Sequence, residues 1–329
     1  MAETPSLKNE WLHTRHNQWT TPASLIQDFL RRATGSTMAH ISRVALGQDN
    51  EVYEVATTNH HHVIVRISRK PNHRFEAERW ALDAARRAGV PTPQVLLIEQ
   101  ATYDETTVMF CIEEKVPGTP LDVLLKAART PNVDKAIHQI GEILGRMHSV
   151  SIEGFGYLQP DAKGQQTSFT DIMLMANERE TELSTAAAHW HIPAQKITTS
   201  LELLDTHREL YTFSTPVLVH GDFGPQHIFV EDDHISGLID MQDCSGNHPV
   251  IDFVNWDAYY RERVPTSTLM TSYGNQEIFT DNYEALFYLA LLREALIMLM
   301  VNAAHQNPHG IQGFLAAMER ALKYFATAR

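Results

Sequence analysis

Residues 218–241 read LVHGDFGPQHIFVEDDHISGLIDM, and the spacing of their polar residues decides the fold. Asp222 comes two residues after His220 in a tight His-Gly-Asp turn, His227 follows five residues later, and Asp240 ends the apolar segment Ile235 to Ile239. The strand-prone run Thr215 to Val219 leads into the turn. Two short strands thus deliver two carboxylates to one place, with a potential metal ligand between them. A lone His-Gly-Asp is an ordinary strand-to-turn junction. The second aspartate, behind its own strand, makes the pair a catalytic candidate.

Phosphoryl transfer needs little covalent chemistry from a protein. A carboxylate orients the attacking hydroxyl, hard oxygen ligands hold a divalent cation on the phosphates, and a fixed cation cradles the nucleotide. Asp222 fits the first role, with the next ligand position after four intervening residues, as in the catalytic loop of kinases. Asp240 fits the second and suits Mg²⁺. His227 stands where that loop carries asparagine. Imidazole is a soft substitute for oxygen on magnesium, so His227 either ligates the metal or only hydrogen-bonds Asp240 or a phosphate.

Upstream, Val63-Ile64-Val65-Arg66 reads as the strand that carries a phosphate-binding cation, here Arg66 in place of lysine. Arginine stays charged and can bind two phosphate oxygens. Its expected partner is a carboxylate on the next helix. Glu76 and Glu78 lie two apart and face different ways, so only one can pair with Arg66; Glu78 is preferred and Glu76 is the reserve. Gly47-Gln48-Asp49-Asn50-Glu51-Val52 has one glycine, yet forms a turn whose N–H groups, around Gly47 and Asn50, can cover phosphates. Asp252 precedes an aromatic helix and either caps it or braces the catalytic loop, a structural role.

Working outward, Thr21 to Arg32 has helical spacing, and Ile41 to Leu46, Glu51 to Thr57 and His62 to Ile67 are β-prone. Phe75 to Ala88 is an amphipathic helix stopped by Gly89 and by Pro91-Thr92-Pro93, and strands resume at Val95 to Glu99 and Val108 to Glu114. Beyond the turn Lys115 to Pro120 the pattern is helical: Leu121 to Ala128, Val133 to His148, Phe169 to Thr212 and Glu284 to Thr327. The division expected is residues 1–115, a leader and a β-rich nucleotide-binding lobe, and 116–329, an α-rich catalytic and substrate-binding lobe.

The 329 residues, 43% hydrophobic with five Trp, can bury a sizeable core. With 27 basic and 40 acidic residues the net charge is −13, which disfavours nucleic acid and anionic membranes and leaves either simple solubility or a cationic ligand as its reason. Cys111 and Cys244 make no disulfide framework, and the N-terminus has neither the basic start nor the apolar run of a signal peptide, so a cytoplasmic protein is expected. Arg293 and Glu294 interrupt the most apolar stretch, Ala285 to Val301, which reads as a buried helix rather than a membrane span.

These residues together resemble the aminoglycoside phosphotransferase family, in the choline-kinase-like branch of the protein-kinase superfold. The resemblance runs from about Ile41 to Ala258 and rests on GQDNEVYEV, VIVRISR, FEAERWALDAARRAGVPTP, KVPGTPL, LGRMHSV, LVHGDFGPQHIFV, GLIDM and NHPVIDF. It implies an α+β, bilobal protein-kinase-like fold with a small β-rich N-lobe and a larger α-helical C-lobe. It implies ATP or GTP in the cleft with its base against Cys111 to Val116, hence Glu113 and Val116 as nucleotide contacts, with Mg²⁺ and a hydroxylated small-molecule acceptor over the C-terminal helices. Arginine at the Arg66 position is common in such relatives. Histidine at 227 is similar to the macrolide phosphotransferases, whereas Met241 departs from the tryptophan expected after the metal aspartate. The acidity points towards a cationic aminoglycoside. Kinases of choline, homoserine or methylthioribose share the loop, so a metabolic acceptor is the alternative. A pseudokinase-like ligand-binding module is the rival from another class, opposed by the presence of both aspartates. Neither D-F-G nor A-P-E follows Asp240, which argues against a protein kinase. No nucleic-acid, membrane or obligate protein partner is expected.

Overall fold

The computed structural model describes residues 20–44, 50–127 and 133–327. The fold is a bilobal α+β, kinase-like architecture. In the small lobe, strands β1 (Met38–Val44), β2 (Glu51–Thr57), β3 (His62–Ser68), β4 (Val95–Tyr103) and β5 (Thr106–Glu114) form one antiparallel sheet in the order β1-β2-β3-β5-β4. Their β-branched residues alternate faces, and Val55, Val63, Val65, Ile67 and Ile112 close over helix α1 (Ala23–Thr34). Within that layer Phe29 of α1 stacks on Phe110 with centroids 4.2 Å apart.

Helix α2 (Phe75–Arg87) buries Ala77, Ala81, Leu82 and Ala85 against a core shared with the large lobe, including Ile140 and Leu144 of α4 (Asp134–Met147). The small alanine faces let α2 approach closely, so the helix that carries Glu76 and Glu78 is fixed relative to both lobes. β6 (Thr119–Pro120) pairs with β10 (Ile228–Glu231), which also pairs with β11 (His234–Leu238). A second large-lobe sheet has the order β8-β7-β12-β9, from β7 (Phe155–Leu158), β8 (Gly164–Gln166), β9 (Val217–Val219) and β12 (Ser245–Asn247). The strands around 155–166 and at 245–247 are too short for sequence periodicity to mark, since three or four residues cannot show an alternation.

The helices are α3 (Leu121–Lys126), α4, α5 (Phe169–Met173), α6 (Glu180–His189), α7 (Ala194–Thr206), α8 (Val250–Tyr260), α9 (Thr266–Ser272), α10 (Tyr283–Ala304) and α11 (Pro308–Thr327). The helical stretch read as Glu284 to Thr327 is therefore two helices, broken at 305–307, where Gln306 takes a positive φ of 51° and Pro308 opens the second helix. In α10, Arg293 and Glu294 pair at 3.0 Å inside the lobe. Among the described residues no helix is long and apolar enough to cross a membrane.

Candidate functional site

β9 ends in apolar residues and passes into His220, which is fully buried. The backbone N–H of His220 donates to Asp252 Oδ2 at 2.9 Å and that of Gly221 to Oδ1 at 3.0 Å. Asp252, in the first turn of α8, is itself fully buried and meets His148 Nε2 at 3.1 Å, while His148 Nδ1 contacts Tyr273 Oη at 3.0 Å. One carboxylate thus satisfies two loop amides, the buried one of His220 and the partly buried one of Gly221, that would otherwise be costly. Of the two roles weighed for Asp252, the hydrogen bonds go to the loop.

The His220 ring continues the brace. The Asp222 N–H donates to Nδ1 at 3.3 Å, so Nε2 carries the proton and donates to the Ile239 carbonyl at 3.0 Å. Burial and the neighbouring His227 push the His220 imidazole below its ordinary value, which keeps this neutral tautomer. The turn between them requires glycine. Gly221 has φ +85°, and a Cβ there would sit 2.0 Å from the Asp243 carbonyl oxygen.

Beyond the turn, Asp222 projects a half-exposed side chain into the cleft. His227 Nε2 lies 3.1 Å from Asp222 Oδ2, and His227 Nδ1 lies 3.8 Å from Asp240 Oδ2. The hydrogen bond of His227 therefore goes to Asp222, not to Asp240 or a distant group. Burial opposes charge on His227, but the Asp222 hydrogen bond and the Asp240 and Asp222 charges outweigh it and raise its value. Burial would lift the Asp222 carboxyl, yet the His227 hydrogen bond and charge hold it below the usual range. Asp240 takes a left-handed φ of +61°, a conformation aspartate tolerates better than most residues.

This donor set fits a divalent cation in one respect. With Nε2–H donating to Asp222, the Nδ1 lone pair faces the Asp240 carboxylate, an arrangement that calls for a positive charge between them, either a proton on Nδ1 or a metal. A histidine ligand that donates its other N–H to a carboxylate is the usual way such a ring is oriented. Among the described residues no group of three or more His, Cys, Asp or Glu side chains is placed to hold a metal by itself. A cation here would take Asp240 and His227 and fill its remaining positions from outside the protein.

Asp240 connects the loop to the small lobe. Arg66 of β3, almost fully buried, donates from Nη1 to Glu78 Oε1 at 2.7 Å and from Nη2 to Asp240 Oδ1 at 3.4 Å, and Nη1 lies 3.7 Å from Glu113 Oε2. Glu76 turns away and meets His73 at 3.3 Å. Burial would drive the proton off Arg66, but Glu78, Glu113 and Asp240 hold it firmly charged. The acids do not gain equally, because three share one guanidinium. Burial, with the Asp240 and Glu113 charges, pushes Glu78 up to about 7 despite Arg66, and burial with Asp240 also raises Glu113.

Of the other residues singled out, Asn50 is buried beside the start of β2, and Val116 packs so that a Cβ on Gly237 would lie 2.3 Å from it. Gly47 lies outside the described residues. Met241 is fully buried in the core shared by α2 and the large lobe. Sequence reasoning missed Arg74, which crosses from the start of α2 to the Cys244 carbonyl at 2.9 Å and lies over the Tyr157 ring at 4.3 Å. It also missed the brace formed by His148 and Tyr273. Their separations from Asp252 are long and no local spacing marks them. Tyr157 and Tyr259 expose almost half of their surfaces, unusual for large rings in this chain, and both feel the charge of Glu294.

The family model described as the phosphotransferase enzyme family matches residues 40–281. Among curated proteins none matches the chain. Among solved structures, a thermostable mutant of aminoglycoside phosphotransferase APH(4)-Ia in ternary complex with ADP and hygromycin B superposes with a TM-score of 0.72 at 16% identity, covering 91% of this chain and 98% of that one. A protein designated a fructosamine-3-kinase from Thermobifida fusca YX-ER1 gives 0.64 at 19% identity, covering 91% of this chain and all of its own, 100%. The gentamicin complex of APH(2")-IIa gives 0.60 at 15%, covering 91% and 97%. At these identities the structural likeness shows a shared fold.

Proposed function

The chain belongs to the phosphotransferase enzyme family, and from that premise we propose that it moves the γ-phosphoryl group of ATP or GTP to a hydroxyl of an aminoglycoside- or macrolide-like antibiotic. It is a small-molecule kinase with an alcohol acceptor. The observation that carries the site assignment is one unbroken run of contacts across the cleft: Arg66 to Asp240 at 3.4 Å, Asp240 to His227 at 3.8 Å, and His227 to Asp222 at 3.1 Å.

In this reading Asp222 is the catalytic carboxylate. Its lowered value leaves it ionised at neutral pH, so it accepts the acceptor's O–H hydrogen bond and aligns the oxygen, taking the proton late, as a loose phosphoryl transition state requires. His227 fixes which oxygen of Asp222 is free by occupying Oδ2. Arg66 binds nucleotide phosphates and Glu78 positions it. Asp240 and His227 would hold the divalent cation, which when bound neutralises phosphate charge. Asn50, just before β2, meets the phosphates, and Glu113 and Val116 line the nucleotide side of the cleft. Residues 1–115 form the leader and nucleotide-binding lobe and residues 116–329 the catalytic and acceptor-binding lobe. ADP and hygromycin B in one similar structure support a nucleotide and a hydroxylated small molecule as the two substrates. The likeness to a protein designated a fructosamine-3-kinase favours a metabolic acceptor as the second reading.

The test is a nucleotide-consumption screen, with ATP and GTP separately, against aminoglycosides, macrolides and metabolic alcohols. Turnover with one antibiotic class is expected. Turnover confined to a metabolic alcohol replaces the acceptor assignment, and none with any acceptor favours a nucleotide-binding module without catalysis.

A further inference from the structure

The surroundings of Arg66 are rich in carboxylates. Glu78, Glu113 and Asp240 converge on this single guanidinium at 2.7, 3.7 and 3.4 Å. Glu78 Oε2 is buried without a hydrogen-bond partner, so the cluster lacks donors as well as positive charge. Farther along, Asp222 and Asp240 share only His227. Glu78 orients Arg66, and Asp240 sits where a cation would bind. Glu113 meets Arg66 as well, at the longest of the three distances. It lies at the end of β5 opposite Ile64, 6% exposed, and its nearest cation is Arg66.

We propose that Glu113 is a specificity-determining residue of the phosphate site, making it reject a bare nucleotide polyphosphate and accept the nucleotide together with its divalent cation. The inference rests on the assignment of Arg66 to nucleotide phosphates. Without Glu113, Arg66 faces two carboxylates, and a polyphosphate arriving alone finds less opposing charge. With it, a phosphate approaching Arg66 meets a third buried carboxylate that solvent screens poorly. A cation arriving with the phosphates would cancel part of this penalty by lowering their net charge. The effect of Glu113 is therefore larger for the metal-free nucleotide than for the complex.

The experiment is equilibrium binding of ADP to the full chain at pH 8, in EDTA and in saturating Mg²⁺. Glu113→Gln should bind ADP at least about tenfold tighter than wild type in EDTA, since one poorly screened charge at a few ångströms is removed, and the tightening should be clearly smaller in Mg²⁺. Glu113→Met, which removes the charge without adding a donor, should do the same, and thermal melting establishes that each variant is folded. Unchanged affinity in EDTA with both variants, or equal tightening with and without Mg²⁺, overturns the role of Glu113. Failure of the wild type to bind ADP in Mg²⁺ overturns the phosphate assignment as well.

Discussion

Replacing Asp252 by asparagine tests whether the loop that presents Asp222 is held by hydrogen bonds or by packing alone. The side chain is fully buried and keeps its size in Asp252→Asn, so no cavity forms. Only acceptors are lost. Asparagine can keep its oxygen at the Oδ2 position, facing the His220 N–H at 2.9 Å and His148 Nε2 at 3.1 Å. Its NH₂ then points at the Gly221 N–H, 3.0 Å from the position of Oδ1, donor against donor. Orphaning that partly buried amide costs about 1–3 kcal/mol. Turning the two remaining charge-assisted bonds into neutral ones removes about 1 kcal/mol each. The expected loss is therefore ~3–5 kcal/mol in urea denaturation. Gly221 is adjacent to Asp222, so relief of the clash displaces the carboxylate proposed to be catalytic, and a shift near 1 Å costs about a hundredfold in turnover. ADP binding in Mg²⁺ should fall less than turnover, since Arg66 belongs to β3 of the small lobe. Stability within ~0.5 kcal/mol of wild type, a difference that surface substitutions reach, together with unchanged turnover would show that packing of His220, not the Asp252 acceptors, holds the loop.

Asp222→Asn should abolish phosphoryl transfer while ADP binding persists; a variant that still turns over removes Asp222 from the acceptor hydroxyl. His227→Asn should retain much of the activity, whereas His227→Ala should raise the Mg²⁺ concentration needed for half-maximal turnover, and identical metal titrations in all three proteins place His227 away from the cation. Gly221→Ala introduces a Cβ 2.0 Å from the Asp243 carbonyl at a φ of +85°, so a loss of about 2 kcal/mol or more is expected from strain and displaced backbone; a fully stable variant would mean the turn relaxes freely. His248 gives a pH signature. Burial, aided by the charge of His148, lowers it to about 3, below the unfolded value near 6.5. As pH falls the unfolded chain takes up this proton first, so stability is full above about pH 6.5 and drains as pH drops towards 3. The part lost between pH 8 and 4.5 is about 3 kcal/mol. His248→Asn keeps an acceptor for the Val250 N–H, which now donates to His248 Nδ1 at 3.0 Å, and should gain that much on the wild type over the same interval; parallel pH curves for the two proteins would exclude it.

What could be seen in the sequence divides along a physical line. Asp222, His227 and Asp240 lie within one short segment because β9, β10 and β11 deliver them, and local chain geometry fixes their spacing. Arg66 and Glu78 were legible because a strand and the next helix place them twelve residues apart, and only one of two candidate glutamates can share a face with the strand. The α10–α11 break lies at Asn307-Pro308, where proline opens the second helix, although the stretch was read only as helical. Asp252, His148 and Tyr273 form one network, but the His148–Asp252 and His148–Tyr273 contacts span 104 and 125 residues. Nothing local requires a histidine at 148, and only the folded lobe shows what it touches. Exposed rings on the large-lobe elements are harder still. Tyr157, Tyr259 and the neighbouring Glu294 come from a strand and two helices whose apolar patterns are set by the core. Residues facing a pocket interrupt those patterns no more visibly than residues facing water. A nucleotide site repeats the same phosphate chemistry and so keeps a short recognisable pattern, whereas an acceptor pocket is written in positions whose meaning depends on which way each helix happens to be turned.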